Sequence, residues 1–253
     1  MKKIGIVGCG WLGSRLAEKL SERFEIYTTT TTSDKAENFL SKGFNPTIIS
    51  FMDYQLSKKI EQWEIAPDLD VMIITVPLSE KSCCISSLYN RVQNLSSFIG
   101  DFKGQLFLMS STGVYPDLAK EFTENDLSSD NISGERMIKG IYPQVNILRL
   151  AGLMGDERLL CNYDVSNLDL SVNHIHYSDI SSVIEKMIEQ QSQSKIYNVV
   201  APLHPSKAEV INAQKNIPLL DECEPKGRII SSSKLVSELD FVFKYPDPRY
   251  FHL

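Results

Sequence analysis

An α/β fold with a doubly wound parallel sheet is what this sequence predicts, and three features of it lead there. The chain opens on an apolar run, residues 4–7, that meets Gly8-x-Gly10-x-x-Gly13 and continues into apolar positions Leu12, Leu16, Ala17 and Leu20 at helical spacing. Short apolar or β-branched runs then alternate with helical stretches through residue 109. One of those runs, residues 70–76, is almost continuously apolar, as strands buried on both faces of a parallel sheet are. This is a Rossmann-type pattern, with a smaller α/β portion following it.

The glycine turn predicts a phosphate cradle. Gly8 permits the tight exit from the first strand, Gly10 lets an anion approach the backbone, and Gly13 lets the helix pack closely on the strand. The helix over residues 11–23 directs its free N–H groups and positive dipole end at that anion. Gly8, Gly10, Trp11, Leu12 and Gly13 are therefore the candidate contacts to a dinucleotide's pyrophosphate. A glycine-rich turn that binds nothing is the competing reading.

Residues 25–29 read as the second strand, and the loop after it is where such a fold meets the adenosine ribose. An NAD site usually carries an acid there to hold the ribose 2′-hydroxyl. Here the stretch is Thr28-Thr29-Thr30-Thr31-Thr32-Ser33, followed by Asp34 and Lys35. Hydroxyls from Thr29 and Thr30 and the ammonium of Lys35 suit a 2′-phosphate, so NADP is favoured, with NAD as the alternative. The threonine run also reads simply as a β-branched strand end.

Further along, residues 34–43 predict a short helix closed by glycine, and 45–51 a third strand with Asp53 just beyond it, placed to accept from an adenine amino group. A brief helix over 58–63 and the apolar strand 70–76 follow. Thr75, Val76 and Pro77 then stand at a strand's carboxyl end, where open α/β sheets bind ligands. A long helix over 79–99 and a fifth strand over 105–109 complete this half.

Composition narrows the class. The 253 residues are 42% hydrophobic, enough for a large core, and carry a net charge of −6. That balance offers no basic stripe for nucleic acid, and no apolar run approaches a membrane span. Met1-Lys2-Lys3 is followed by an apolar stretch that glycines interrupt, unlike a cleaved leader. Five irregularly spaced cysteines (9, 83, 84, 161 and 223) read as reduced thiols in a cytoplasmic protein.

Later segments carry a family resemblance. Met109-Ser110-Ser111-Thr112-Gly113-Val114-Tyr115 resembles the S-S-x-x-V-Y segment of extended and atypical short-chain dehydrogenases/reductases, the NAD-dependent epimerase/dehydratase family. Arg149 to Gly155 is similar to that family's R-x-x-x-x-Y-G turn, with Met154 in the tyrosine's place. Ile175-His176-Tyr177-Ser178-Asp179-Ile180 resembles its I-H-V-D-D-V segment, and Tyr197-Asn198-Val199 its Y-N-V strand. Gly227-Arg228-Ile229-Ile230-Ser231 and Tyr245-Pro246-Asp247 resemble the tail of the YeeZ-like NAD(P)-binding group. The resemblance implies that Ser111 faces the substrate, that Ser110 and Pro77 lie on the nicotinamide side, and that residues 79–99 and 133–139 are dimer helices. With the second of these short, both monomer and homodimer stay open.

One part of the family pattern is missing. Active members carry Y-x-x-x-K one helix after the serine, the tyrosine exchanging the carbinol proton and the ribose-held lysine lowering its pKa. Here that spacing occurs once, at Tyr54 and Lys58, too early in the chain, and no tyrosine falls between Tyr115 and Tyr142. Ser111, with Tyr115 or a water as proton relay, is what remains. His174 and His176, with Asp164, Asp169 and Asp179, invite a metal site, but the resemblance makes His176 and Asp179 backbone-bonding caps on a segment returning to the sheet, and no metal is expected. Ser111 lacks the G-x-S-x-G elbow of a serine hydrolase.

The sequence thus predicts an NAD(P)-binding region over 1–152 and a smaller substrate-side portion over 153–253, partly returning to the main sheet. The expected activity is hydride transfer at a carbonyl or carbinol carbon of a small polar substrate, sugar nucleotides among the candidates. A non-catalytic NADP-binding sensor or scaffold, lacking the dyad, is the alternative. No nucleic-acid or membrane partner is expected.

Overall fold

The computed structural model describes residues 1–51, 60–79, 85–126, 132–218 and 226–253. They divide into two compact units: 1–110, 129–148 and 187–196 form the first, and 111–128, 149–186 and 197–253 the second.

The first unit is built on the main sheet. The strands of that sheet are β1 (Lys3–Val7), β2 (Glu25–Thr30), β3 (Asn45–Ile48), β4 (Val71–Ile74), β5 (Gln105–Ser111), β7 (Asn146–Leu150) and β10 (Ile196–Val199), in the order β10-β7-β5-β4-β1-β2-β3. This is the predicted doubly wound parallel sheet, seven strands wide, reversing direction of growth between β1 and β4. β7, which leads into the segment from Arg149 to Gly155, and β10, which carries Tyr197-Asn198-Val199, both belong to this sheet.

Its helices are α1 (Trp11–Leu20), α2 (Ser33–Ser41), α3 (Ile85–Ile99) and α4 (Ser133–Ile141). Alternation along the strands sorts the core. Val7, Met72, Ile74, Leu106, Leu108 and Ile147 pack with Leu88, Val92, Leu95 and Phe98 of α3 and Ile138 of α4. Ile4, Ile6, Ile73 and Phe107 point the other way and are also fully buried, as are Leu16, Ala17 and Leu20 of α1. Each fully buried Val, Leu, Ile, Phe or Met among them contributes about 1.5–3 kcal/mol.

The structure trims several expected elements. The first helix ends at Leu20, and the third strand at Ile48, where Pro46 is tolerated because β3 is the sheet's edge. Of the helix expected over 58–63, residues 60–63 are not helical; Trp63 instead stacks on Phe98 at 5.1 Å. Burial of the indole, rather than a helical hydrogen-bond ladder, fixes this stretch.

In the second unit, β6 (Glu121–Phe122) pairs with β11 (Ile229–Ile230), and β8 (Gly152–Met154) with β9 (His174–His176). The segment around His176 was expected to return to the main sheet; its partner is β8, in a separate two-stranded ladder. Helices α5 (Tyr177–Glu189), α6 (Lys207–Gln214) and α7 (Ser233–Leu239) complete the set. A capping box between Ser206 and Glu209 starts α6. Met154, Leu160, Val172, Ala201, Val210 and Phe251 form a core of this unit.

Candidate functional site

The turn after β1 has the shape its glycines predict. Gly8 sits at φ +99°, and a Cβ there would lie 2.8 Å from Val76 Cγ2 and 3.1 Å from Thr75 Oγ1. A Cβ on Gly13 would lie 2.9 Å from the Gly8 carbonyl oxygen. Both positions are closed to any larger residue. Gly10 is the opposite: a Cβ on it would have no heavy atom within 4 Å. Gly10 is also the N-cap of α1, with no side chain capping the helix. An open backbone face beside an uncapped helix start is what an anion needs, and these residues fit a pyrophosphate.

Around that turn the hydrogen bonds are specific. The Gly8 amide donates to Thr29 Oγ1 at 2.8 Å and the Cys9 amide to the Thr29 carbonyl at 2.8 Å. The Thr75 hydroxyl donates to the Gly8 carbonyl, and the Thr75 amide to Val7 O at 2.9 Å. Thr29 and Thr75 therefore hold the turn from both sides. Cys9 faces inward, its thiol 3.7 Å from Ile6 O and pushed up to about 12 by burial, so no reactive thiolate stands in the turn.

The other adenosine-side candidates separate. Thr30 is buried, with its hydroxyl lacking a protein partner, whereas Lys35 is exposed in the first turn of α2. Asp53, Tyr54 and Lys58 lie outside the described residues. Trp11 is half-buried, with the Arg15 guanidinium 4.0 Å over its ring, and Leu12 is in the core.

Beyond β4, the chain runs past Val76 and the exposed Pro77, whose carbonyl accepts from Arg91 at 2.8 Å. Leu78 then abuts α4: a Cβ on Gly134 would run into the Leu78 carbonyl oxygen. The next residue of α4 is Glu135, only 6% exposed, and its carboxylate accepts from Ser110 Oγ at 2.6 Å. Sequence reasoning missed Glu135. Its signal was available: an acid in the first turn of the helix in which the family's dyad was sought.

In the second unit, Ser111 is exposed, with its hydroxyl accepting from the Gly113 amide at 3.0 Å. Tyr115 is placed differently from a relay. It is 1% exposed, its hydroxyl donates to Asn198 Oδ1 at 2.7 Å, and it accepts from Arg149 at 2.8 Å. Burial raises its pKa against the opposing pull of Arg149. The Asn198 amide in turn donates to Glu124 at 2.7 Å, so the resemblance's Y, R and N positions form one buried polar network.

His176 stacks on Tyr245 at 3.8 Å between ring centroids, and its Nδ1 accepts from the Ser178 amide at 3.2 Å, as a cap does. Asp179 does not cap α5. Its two oxygens accept from the Lys244 and Tyr245 amides at 2.8 and 3.0 Å, clamping the C-terminal segment. The N–H groups of that irregular segment have no ladder of their own, which is why the carboxylate goes there. Burial lowers both His174 and His176 to about 4. Among the described residues, no three His, Cys, Asp or Glu gather as metal ligands, and no helix is long and apolar enough to cross a membrane.

Comparison with profiles of known protein families gives no match. Against individual proteins, the chain is 28% identical to the protein YeeZ of Escherichia coli K12 over 98% of each chain. Among solved structures, it is similar to the dTDP-glucose 4,6-dehydratase of Bacillus anthracis in complex with NAD, with a TM-score of 0.72 and 14% identity over 98% of this chain and 94% of that one. It is equally similar to the UDP-glucuronic acid 4-epimerase of Bacillus cereus in complex with NAD, with a TM-score of 0.72 and 14% identity over 99% and 97%. As the order of its motifs predicted, this chain is similar to YeeZ along its whole length and shares the fold of the NAD-complexed dTDP-glucose 4,6-dehydratase and UDP-glucuronic acid 4-epimerase.

Proposed function

We propose that this protein binds a nicotinamide dinucleotide at the turn after β1 and catalyses hydride transfer at a carbonyl or carbinol carbon of a small polar substrate. The observation that carries the reading is the open face of Gly10 at the uncapped start of α1. In it, the backbone of residues Gly8, Gly10, Trp11, Leu12 and Gly13 binds the pyrophosphate. Thr30 offers its buried hydroxyl to the adenosine ribose, and Lys35 answers a 2′-phosphate, which makes NADP the preferred form. Val76, Pro77 and Ser110 flank the nicotinamide half. Ser111 polarises the substrate oxygen.

The dinucleotide, when bound, supplies or accepts the hydride; the chain's own residues hold and orient the reacting groups. The dehydratase and epimerase that share the fold make sugar nucleotides the first substrates to try. A non-catalytic sensor is the second reading, favoured by an α4 that carries no tyrosine and by a Tyr115 whose hydroxyl is spent in a buried network.

Thermal unfolding with added nucleotide tests the first step. At a hundred times its Kd, NADPH stabilises by about 2.7 kcal/mol, a rise of about 5–10 °C for a chain of this size, and NADH at equal concentration gives less. Lys35→Ala narrows the difference between them. No shift with any nicotinamide nucleotide removes the proposal. With binding established, a Ser111→Ala variant that binds NADPH but loses turnover on a panel of sugar nucleotides, aldehydes and keto acids separates the enzyme from the sensor.

A further inference from the structure

We propose that the open edge of β3 is a docking surface for an extended peptide that carries apolar side chains and a lysine or arginine. β3 is an outermost strand of the main sheet, paired with β2 on one side. The Ile49 amide donates to the Thr30 carbonyl at 2.8 Å, towards the sheet. Backbone groups of successive strand residues point to opposite sides, so those of Pro46 and Ile48 point away from it. Pro46 offers a carbonyl alone, and Ile48 a carbonyl and an N–H. Such a row of open backbone groups is a template for one more strand.

A cavity of about 940 Å³ straddles this edge, and all of its lining belongs to the first unit. Tyr27, Thr47 and Ile49 line it from the face that packs on α3, where the Trp63 indole donates to the Thr47 hydroxyl at 3.0 Å. Ile48 points to the opposite face, and it and Leu40 of α2 stand in the lining 57% and 59% exposed. A cavity that wraps a strand edge matches an added strand, whose side chains point alternately to the two faces. Charge then selects the partner. Glu61 and Glu64 stand exposed in the lining without a partner among the described residues, and no described Lys, Arg or His joins them there. A basic side chain on the peptide answers them. A second copy of this chain fits less well. Antiparallel pairing of β3 with itself sets Pro46 against Ile48, where the missing N–H breaks the ladder, and places the carboxylates of both copies at one interface.

Selection from a displayed library of random decapeptides on the full-length protein supplies the probe. The enriched sequences alternate apolar residues with at least one lysine or arginine, and a labelled synthetic copy binds in fluorescence anisotropy. Methylating every second backbone nitrogen of that peptide abolishes binding in one register and leaves it within about threefold in the other, as pairing along a single strand edge requires. Ile48→Pro, which removes the outward N–H, weakens binding about tenfold or more. The double variant Glu61→Lys, Glu64→Lys, at exposed positions that keep the fold should Ile48→Pro unfold, gives a similar loss, and added salt weakens the wild-type complex. A selection that enriches no sequence, a complex that the charge reversal leaves intact, or methylation that acts equally in both registers overturns the proposal. So does a wild-type dimer in light scattering that Ile48→Pro dissolves and the peptide does not displace, which assigns the edge to a second copy.

Discussion

The amide of Gly8 donates to the hydroxyl of Thr29 at 2.8 Å, joining the tip of β1 to the end of β2 across 21 residues of sequence. Thr29 is buried, and this bond makes it a brace for the glycine turn. Thr29→Val keeps the side chain's shape and removes the acceptor. The stranded amide costs about 1–3 kcal/mol, to be read in urea unfolding, and NADPH binding weakens with it. Thr29→Ser restores both. Unchanged stability in the valine variant would show that the turn holds itself.

Tyr115 ties Arg149 to Asn198, and Arg149 is 1% exposed. Tyr115→Phe leaves a buried guanidinium N–H and a buried amide oxygen without their partner, at a cost of about 1–3 kcal/mol. Nucleotide affinity should not change. A variant that stays fully stable while losing turnover would return Tyr115 to the role of proton relay.

Acid sensitivity follows from the two histidines of β9. Both are depressed to about 4 in the folded protein, from an ordinary value of 6.5. The unfolded chain therefore takes up protons first as pH falls. Stability is whole above pH 6.5 and declines progressively towards pH 4. At pH 5, each ring accounts for about 2 kcal/mol on this reckoning. Denaturant unfolding at pH 7 and pH 5 measures the drop, and the double variant His174→Phe, His176→Phe flattens it. A wild-type curve that is level across this range would contradict the burial of these rings.

Regular spacing made most of the main sheet legible in the sequence. Ile4, Ile6, Ile73 and Phe107 announced buried strands, and Gly8, Gly10 and Gly13 announced the turn, because each depends on its immediate neighbours. What escaped depends on contacts between distant residues. Asp179 bonds amides 65 and 66 positions away, and Ser110 meets Glu135 from 25 positions away. Neither distance leaves a periodic trace. Residues 60–63 misled for a related reason: their apolar content serves the stacking of Trp63 on Phe98 rather than a helix face.

Gly10→Ala tests the central claim most directly. The substitution is spatially free and φ at Gly10 is −81°, so the fold should lose about 1 kcal/mol or less, the difference between glycine and alanine as an N-cap. The new methyl stands where a pyrophosphate must approach. Calorimetry should therefore show NADPH binding to the wild type and at least tenfold weaker binding to a Gly10→Ala protein that melts within a few degrees of it. Equal affinity in the two proteins would contradict the assignment of this turn as the diphosphate site.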